Sequence, residues 1–371
     1  MTAPRPASPG DTLDRVETPA LVVDLDALEA NIAAMASRAK AGGMALRPHA
    51  KTHKSAEIAK LQLAAGAIGI CAQKVSEAEA LLGSGVKDVL ISNHILGEAK
   101  LDRLCGIAKH VRVTTLTSDA AHVAMLSQAA ARNGAEIEIL IEIDAGDARM
   151  GLQNLNQVGP LAQAIDKAPG LRFRGLQAYT GPFQHIRDPE ERADAALASA
   201  EIALEARDAI LALGLSCETI TGGGTGSFDY DLSEQAFTEI QPGSYVFMDM
   251  DYGRNEDGPS EVFRQSLFVL ASVIRVPEKR VVYVDAGVKS LNLDSGMPGV
   301  HERTDLAFTK ASDEQGRVEI ATKGQAPKLG ERLLLVPSHC DPTVNQFDWM
   351  VAVRNGRVEH VWPVDARGCV I

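Results

Sequence analysis

Short β-branched runs alternate with longer amphipathic stretches from about residue 20 to residue 250, and this alternation limits the fold more than any other feature. Repeated strand–helix units favour a parallel sheet with right-handed crossovers, and so many units favour a closed (β/α)8 barrel of the TIM type. The strand candidates are Ala20–Leu25, Met44–Pro48, Ala67–Cys71, Asp88–Ser92, Val111–Leu116, Ile137–Ile143, Leu171–Tyr179, Cys217–Thr221 and Tyr245–Met248. The helix candidates include Asp26–Ala41, Ser55–Ala65, Ser76–Gly83, Asp119–Asn133 and Pro189–Leu213.

These strand candidates number nine, one more than such a barrel needs. Either one of them is not a strand, or the first, Ala20–Leu25, belongs to another domain. We favour the second interpretation, which makes Met44–Pro48 the first barrel strand. Lys51 then lies just past the C-terminal end of that strand, where the active sites of barrel enzymes form.

The pattern changes after about Asp251, where short strand-like runs follow one another with few helical stretches. The runs Gln265–Val276, Arg280–Ala286, Glu331–Val336 and Trp349–Val353 and the turn Asn355-Gly356 predict a mainly-β domain. We therefore predict an α/β protein with a barrel at residues 27–252. A C-terminal β domain at residues 253–371 would be joined by the N-terminal segment 1–26.

The charge balance argues against two classes of partner. The 371-residue sequence has 49 acidic and 37 basic residues, a net charge of −12, which argues against a nucleic-acid or anionic-membrane partner. No apolar run reaches the roughly 18–20 residues that cross a bilayer, and the N-terminus does not resemble a secretory signal. Five scattered cysteines suit a reducing compartment. We expect a cytoplasmic enzyme with a small-molecule substrate.

A cluster of basic residues surrounds Lys51 in the segment Arg47-Pro48-His49-Ala50-Lys51-Thr52-His53-Lys54. A lysine just past a barrel strand can form an imine with an aldehyde cofactor. The alternative is a solvated basic loop with no chemical role, and the octapeptide alone favours that alternative.

A glycine-rich run, Thr221-Gly222-Gly223-Gly224-Thr225-Gly226-Ser227, follows the last strand but one of the predicted barrel. Backbone amides in such a turn can converge on a phosphate, and barrel enzymes often bind phosphate after strands seven and eight. We therefore predict phosphate contacts at Gly224, Thr225 and Gly226. A second candidate is Gln241-Pro242-Gly243-Ser244-Tyr245, at the end of the final strand, although glycine-rich turns are often merely tight turns.

The segment Val336–Thr343 offers a metal-ligand pair. If it is extended, His339 and Asp341 point the same way and Cys340 points elsewhere. One imidazole and one carboxylate leave coordination positions open and favour Mn²⁺, Mg²⁺ or Co²⁺ over thiolate-bound zinc. The alternative is a simple turn that ends at Asp341-Pro342.

Two further candidates follow the Leu171–Tyr179 strand. Tyr179 could contact a cofactor, and His185, in the loop beyond, could act as a general base near neutral pH. A single histidine in a loop is more often merely solvated.

Taken together, these segments resemble the fold-type III pyridoxal-phosphate enzymes, with an alanine racemase-like fold. Within that family they resemble the D-threonine aldolase and 3-hydroxy-D-aspartate aldolase group, to which the D-serine dehydratases are related. The resemblance runs from about Glu17 to Gly368. It rests on five motifs in order: Thr18-Pro19-Ala20, Arg47–Lys54, Gln73–Ala78, Gly222–Ser227 and Ser338–Thr343.

The resemblance implies a role for each matching residue. Lys51 would hold pyridoxal phosphate covalently, and Arg149 would lie near the pyridoxal oxygen. His185 would be the base, and His339 and Asp341 the ligands of a divalent metal. The dehydratase relatives have a His-x-Cys pair where this chain has His339-Cys340-Asp341, a departure that favours an aldolase. The residues implied to line the cofactor and its phosphate are Gln73, Tyr179, Thr225, Gly243, Ser244 and Tyr252.

The resemblance implies a metal-assisted D-threonine aldolase that cleaves β-hydroxy-D-amino acids to glycine and an aldehyde by a retro-aldol reaction. Cleavage or dehydration of 3-hydroxy-D-aspartate, or a D-serine dehydratase-like reaction, is the alternative within the family. A non-catalytic pyridoxal-phosphate carrier and a metal-only barrel hydrolase are alternatives from other classes. Related enzymes also imply a homodimer, in which each barrel faces the partner's β domain.

Overall fold

The computed structural model describes residues 4–277 and 280–371, and this part of the chain divides into two compact units. One unit, here called the barrel unit, contains residues 35–51, 56–243 and 369–371. The other, the β unit, contains residues 4–34, 52–55, 244–277 and 280–368. The boundaries between the two units therefore differ from the predicted boundaries, which lie after residues 26 and 252. The predicted N-terminal segment begins at residues 1–3, which lie outside the described residues.

The order of elements begins with strand β1 (Ala20–Asp24) and helix α1 (Leu25–Ala41), and eight parallel strands then form the barrel sheet. They are β2 (Ala45–Leu46), β3 (Ile70–Ala72), β4 (Asp88–Ile91), β5 (Arg112–Thr117), β6 (Ile137–Glu142), β7 (Leu171–Ala178), β8 (Thr219–Gly222) and β9 (Glu239–Ile240). Around the barrel the order is β2-β9-β8-β7-β6-β5-β4-β3. Bonds between residues just past β2 and strand β3 close the ring: the Ala50 amide donates to the Cys71 carbonyl at 2.8 Å. The predicted barrel fold is confirmed.

Seven helices alternate with these strands. Two of them begin at an aspartate cap: the Asp119 carboxylate accepts the Ala121 and His122 amides, and Asp188 precedes Pro189 at the start of the longest helix. The strands bury apolar side chains; one cluster contains Cys71, Leu90, Leu116 and Leu140. The helices are α2 (Ala56–Ala64), α3 (Val75–Leu81), α4 (Glu98–Ala108), α5 (Ala120–Asn133), α6 (Val158–Asp166), α7 (Pro189–Leu211) and α8 (Phe228–Glu234).

The β unit contains eight later strands and one short helix. They are β10 (Leu267–Arg275), β11 (Val281–Val284), β12 (Gly299–Val300), β13 (Leu306–Ala311), β14 (Gly316–Ile320), β15 (Arg332–Val336), α9 (Cys340–Val344), β16 (Trp349–Arg354) and β17 (Arg357–Pro363). Strand β1 belongs to this sheet, antiparallel to β10 and parallel to β16. The predicted assignment of Ala20–Leu25 to another domain is confirmed.

One predicted strand is wrong. Tyr245–Met248 does not extend the barrel sheet, because Ser244–Val246 forms a 3-10 turn in the β unit. The eighth barrel strand is β9 instead. Two residues are too few to show the alternation by which strands are recognised.

Among the residues that the structure describes, no helix is long and apolar enough to cross a membrane.

Candidate active site

Lys51 lies five residues beyond β2, at the C-terminal end of the barrel strands. The rest of the segment from Arg47 to Lys54 is buried, and Lys51 itself is half-buried. The Arg47 guanidinium forms one ion pair with Glu239 at 2.8 Å and another with Asp88 at 2.7 Å. A solvated basic loop is therefore wrong for this segment.

The ring of His49 fixes the backbone at Lys51. Its Nδ1 accepts the Lys51 amide at 3.3 Å, so the proton of the neutral ring belongs on Nε2, which lies 3.1 Å from the Ser92 Oγ. The Ser92 hydroxyl donates onward to the Ala72 carbonyl at 3.4 Å. The predicted cofactor residue Gln73 is also near, with its side-chain nitrogen 3.3 Å from the His49 Nε2. His49 is thus a site residue that the sequence did not single out.

Arg149 and Tyr179, two predicted cofactor residues, lie together. The guanidinium carbon of Arg149 is 5.4 Å from the centre of the Tyr179 ring, within the range of a cation–π contact. Its Nη2 is 3.6 Å from a carboxylate oxygen of Glu142, whose other oxygen is 3.0 Å from the His94 Nε2. Glu142 is the buried last residue of β6, so the sequence marks it only as part of a strand.

The glycine-rich turn is buried, and the amides of Gly224, Gly226 and Ser227 have side-chain partners within the chain. The Gly226 and Ser227 amides donate to the Gln184 Oε1 at 2.8 and 3.1 Å. A Cβ at Gly226 would collide with the Gln184 carbonyl oxygen, so glycine here permits the close approach of that residue. The predicted phosphate contacts at Gly224, Thr225 and Gly226 stay a prediction.

Asp231 is a second partner of the same turn. Its Oδ2 accepts the Gly224 amide at 3.3 Å and the Ser227 hydroxyl at 2.5 Å. Burial raises the pKa of Asp231 to about 7, and these two hydrogen bonds offset part of that rise. Neither Gln184 nor Asp231 stands out in the sequence, although Gln184 is the neighbour of the predicted base His185.

The remaining predicted residues fall in both units. His185 is exposed at the end of a 3-10 turn, Pro182–His185, that follows β7. Gly243 is buried in the barrel unit, whereas Ser244 and Tyr252 are buried in the β unit.

The metal-ligand pair lies in the β unit, with a local structure that corrects the prediction. The extended backbone ends at His339, and Asp341 is in the first turn of α9, so the two residues do not alternate along a strand. Burial favours a neutral His339 ring, but the carboxylates of Asp341, Asp294 and Asp249 overcome that effect and raise the pKa of His339. The two predicted ligands therefore interact electrostatically.

Two further carboxylates hold this motif. Asp294 accepts a hydrogen bond from the His339 Nδ1 at 2.8 Å. The Asp249 Oδ2 accepts the Cys340 amide at 3.1 Å, and burial raises the pKa of Asp249 to about 6. Among the described residues, no group of three or more His, Cys, Asp or Glu side chains is arranged to hold a metal ion. A cation on His339 and Asp341 would need water or substrate oxygens to complete its coordination.

Both implied groups fit the residues present. The half-buried Lys51 and the Arg149–Tyr179 pair both follow C-terminal ends of barrel strands, which suits an aldehyde cofactor held at this end of the barrel. In the β unit, the Asp294 carboxylate engages the Nδ1 of His339, an arrangement typical of histidines that bind a metal through their other ring nitrogen.

The class of the protein follows from comparison with known families. Residues 23–251 match the family model "Alanine racemase, N-terminal domain", and residues 266–353 match "Putative serine dehydratase domain". The chain belongs to the fold-type III pyridoxal-phosphate family, and pyridoxal phosphate is the cofactor that this family implies.

Within that family, the similarity to aldolases extends over nearly the whole chain. A D-threonine aldolase from Arthrobacter sp. is 47% identical, with 99% of this chain and 97% of the relative covered. A 3-hydroxy-D-aspartate aldolase from Paracoccus denitrificans is 46% identical, with 98% and 95% covered. The crystal structure of D-threonine aldolase from Filomicrobium marinum has a TM-score of 0.96 at 44% identity, with 99% and 100% covered. The chain is a member of this pyridoxal-phosphate-dependent aldolase group, whose enzymes are aldehyde-lyases.

Proposed function

We propose that this aldolase cleaves D-threonine and related β-hydroxy-D-amino acids to glycine and an aldehyde, with a divalent cation at His339 and Asp341. The observation that carries the proposal is the position of half-buried Lys51 at the C-terminal end of the barrel. The D-threonine aldolase similarity over 99% of the chain supports the substrate class. The order His339-Cys340-Asp341 supports an oxygen ligand in the metal pair.

The cofactor and the chain divide the chemistry between them. Pyridoxal phosphate held at Lys51 supplies an electron-accepting ring that stabilises negative charge on the substrate Cα. The neutral ring of His49 holds the backbone of Lys51, because its Nδ1 accepts a hydrogen bond from the Lys51 amide. Arg149 lies against the face of Tyr179, and the Glu142 and Asp147 carboxylates accompany its guanidinium there.

The bond-breaking step needs a base at the substrate hydroxyl. His185 is exposed, so it can take the β-hydroxyl proton directly or through water. As that oxygen becomes a carbonyl, the Cα–Cβ bond breaks and its electron pair moves to Cα. A proton returned to Cα, in place of the one that His185 removed from the hydroxyl group, then yields glycine. If a divalent cation is bound, His339 and Asp341 would hold it, and it would supply Lewis-acid chemistry toward a hydroxyl group.

Cleavage of 3-hydroxy-D-aspartate is the second candidate, because a relative with that name is 46% identical over 98% of the chain. It would use the same residues and release glyoxylate in place of acetaldehyde. Dehydration differs chemically, since the base would take the Cα proton and hydroxide would leave from Cβ. The name of a more distant relative, the 32% identical D-threo-3-hydroxyaspartate dehydratase from Delftia sp., motivates a test of that outcome.

A substrate panel with product identification tests the proposed reaction. We expect D-threonine to give acetaldehyde and glycine in equal amounts, without ammonia. 3-Hydroxy-D-aspartate would give glyoxylate by cleavage or ammonia by dehydration, so the products separate the candidates. Ammonia as the main product from both substrates would overturn the aldolase proposal for this chain.

Lysine and metal controls test the two implied groups separately. The Lys51→Ala protein should be colourless and inactive, whereas Lys60→Ala, at an exposed position on α2, should stay yellow and bleach with borohydride. Treatment with EDTA should lower the D-threonine cleavage rate by about tenfold or more, and Mn²⁺ should restore it. A full rate after EDTA would refute the metal role and leave the cofactor role standing.

We also propose that the active protein is a homodimer, on the basis of its similarity to fold-type III enzymes. Sedimentation of the cofactor-loaded protein should show a species of twice the mass of one chain. An active monomer would contradict this proposal.

A further inference from the structure

We propose that Asp294 is a positioning residue for the metal: it holds the His339 ring with Nδ1 protonated and Nε2 directed to a divalent cation. The inference rests on the proposed metal role of His339 and Asp341 and extends it to a residue outside that motif. The site would take a hard cation such as Mn²⁺, with water or substrate oxygens as its other ligands.

The hydrogen bond between these two residues determines the tautomer. The Asp294 Oδ2 lies 2.8 Å from the His339 Nδ1, and an ionised carboxylate can only accept. The Nδ1 therefore carries the proton, and the Nε2 lone pair is available to a metal. A carboxylate behind a ligating histidine also makes the ring a stronger donor, and loss of such partners typically lowers metal affinity by about 10–100-fold.

The loop that carries Asp294 is built without the help of its carboxylate. The Ser338 hydroxyl donates to the Asn292 carbonyl at 2.8 Å, and the Asn292 amide donates to the Thr343 hydroxyl at 3.2 Å. Further along, the Arg254 Nη1 donates to the Ser295 carbonyl at 3.0 Å. Because backbone groups and other side chains fix this loop, removal of the Asp294 side chain tests His339 rather than the loop.

The side chain is also accessible enough to change without a folding penalty. It is 50% exposed, compared with 31% for His339, so a smaller residue leaves no buried cavity. Asp313, with a side chain 78% exposed in the same unit, provides a control for the loss of one negative charge.

Direct Mn²⁺ binding to the cofactor-loaded protein tests the inference without reference to turnover. Titration calorimetry would give the Mn²⁺ Kd for the unmodified protein and for Asp294→Ala, Asp294→Asn and Asp313→Asn. We expect the Kd of Asp294→Ala to rise by about 10–100-fold. Asp294→Asn should show a smaller rise, because its amide oxygen still accepts from Nδ1 but lacks the charge. Asp313→Asn should match the unmodified protein, and all four proteins should unfold at the same temperature in EDTA.

Each deviation has a defined meaning. An unchanged Kd for Asp294→Ala, beside normal binding by the unmodified protein, would overturn this inference alone. An Asp294→Asn protein as weak as the alanine variant would also overturn it, because an oxygen that accepts from Nδ1 would then not be what positions the ring. If the unmodified protein bound no Mn²⁺, and His339→Ala behaved the same, the proposed metal role would fail together with this inference. If Asp294→Ala unfolded early, the asparagine variant would decide.

Discussion

At the scale of single residues, burial and pairing control the charge of the groups around the candidate site. The segment from Arg47 to Lys54 reads as strongly basic in the sequence. In the structure, Arg47 is paired with Glu239 and Asp88, and His49 is neutral because its Nδ1 accepts the Lys51 amide. The apparent positive charge of Arg47 and His49 is thus compensated or absent. A sequence lists ionisable groups but does not show which of them keep their charge.

Asp231 gives a prediction for the pH dependence of stability. Its pKa is raised to about 7, whereas the same carboxyl in the unfolded chain titrates near about 3.9. At a pH between these two pKa values, Asp231 is ionised in the unfolded chain and protonated in the folded chain. The free energy of unfolding should therefore fall as pH rises through this window, by at most about 1.4 kcal/mol per pH unit, and level off above it.

The Asp231→Asn variant should remove this dependence, because its amide oxygen can accept the same two hydrogen bonds and does not ionise. The unfolding temperature of this variant, relative to the unmodified protein, should rise between pH 5 and pH 8. Asp194→Asn, at an exposed position on α7, should show no such trend. If the unfolding temperatures of Asp231→Asn and the unmodified protein differed by the same amount at every pH in this range, the raised pKa of Asp231 would be contradicted.

At the scale of elements, Gln184 joins two loops at the C-terminal end of the barrel. Its Oε1 accepts two amides of the turn after β8, and its Nε2 donates to the Ser227 hydroxyl at 2.8 Å and to the Thr180 carbonyl at 3.3 Å. The turn with the predicted phosphate contacts is thereby fixed to the loop that ends at His185. Glycines that suggested phosphate binding in the sequence also serve this contact.

Substitution of Gln184 by methionine should destabilise the protein and weaken cofactor binding. The variant keeps the side-chain length but leaves the buried Gly226 and Ser227 amides without their acceptor, at a cost of about 1–3 kcal/mol each. Urea unfolding midpoints and pyridoxal-phosphate Kd values would measure both effects. The exposed Gln157 in the same unit supplies the control, Gln157→Met, which should change neither quantity.

Elements with a clear periodic pattern could be predicted from the sequence, and short ones could not. Helix α7 was predicted to within two residues, and the Asn355-Gly356 turn does connect β16 to β17. Strand β9 was missed because two residues carry no pattern. Asp294 was missed for a different reason: it lies 45 positions from His339, and only folding brings the two side chains together.

At the scale of the whole molecule, a buried ion network joins barrel strands at the end opposite Lys51. Arg47 bridges Glu239, the first residue of β9, and Asp88, the first residue of β4, and Arg112 also pairs with Asp88. The side chains of Arg47, Glu239 and Asp88 are all less than 10% exposed. Removal of one partner from such a network leaves charges buried without compensation.

The Arg47→Met variant should therefore lose about 3–5 kcal/mol of stability. Urea unfolding would measure the loss, and Arg38→Met is a matched control because Arg38 and Asp229 form an exposed pair worth about 0–1 kcal/mol. Equal losses in the two variants would show that the Arg47 network contributes no more than a surface pair.

The pairing of β1 has a consequence for synthesis of the chain. Val22 lies opposite Phe268 on one side and Val351 on the other, so this apolar strand leaves the ribosome long before either neighbour exists. All eight barrel strands are made in the interval. Unpaired strand edges promote aggregation, so the nascent chain carries an uncovered edge until its last hundred residues are translated. The speed of translation beyond the barrel, and any chaperone that covers residues 20–24 meanwhile, would set the yield of folded protein.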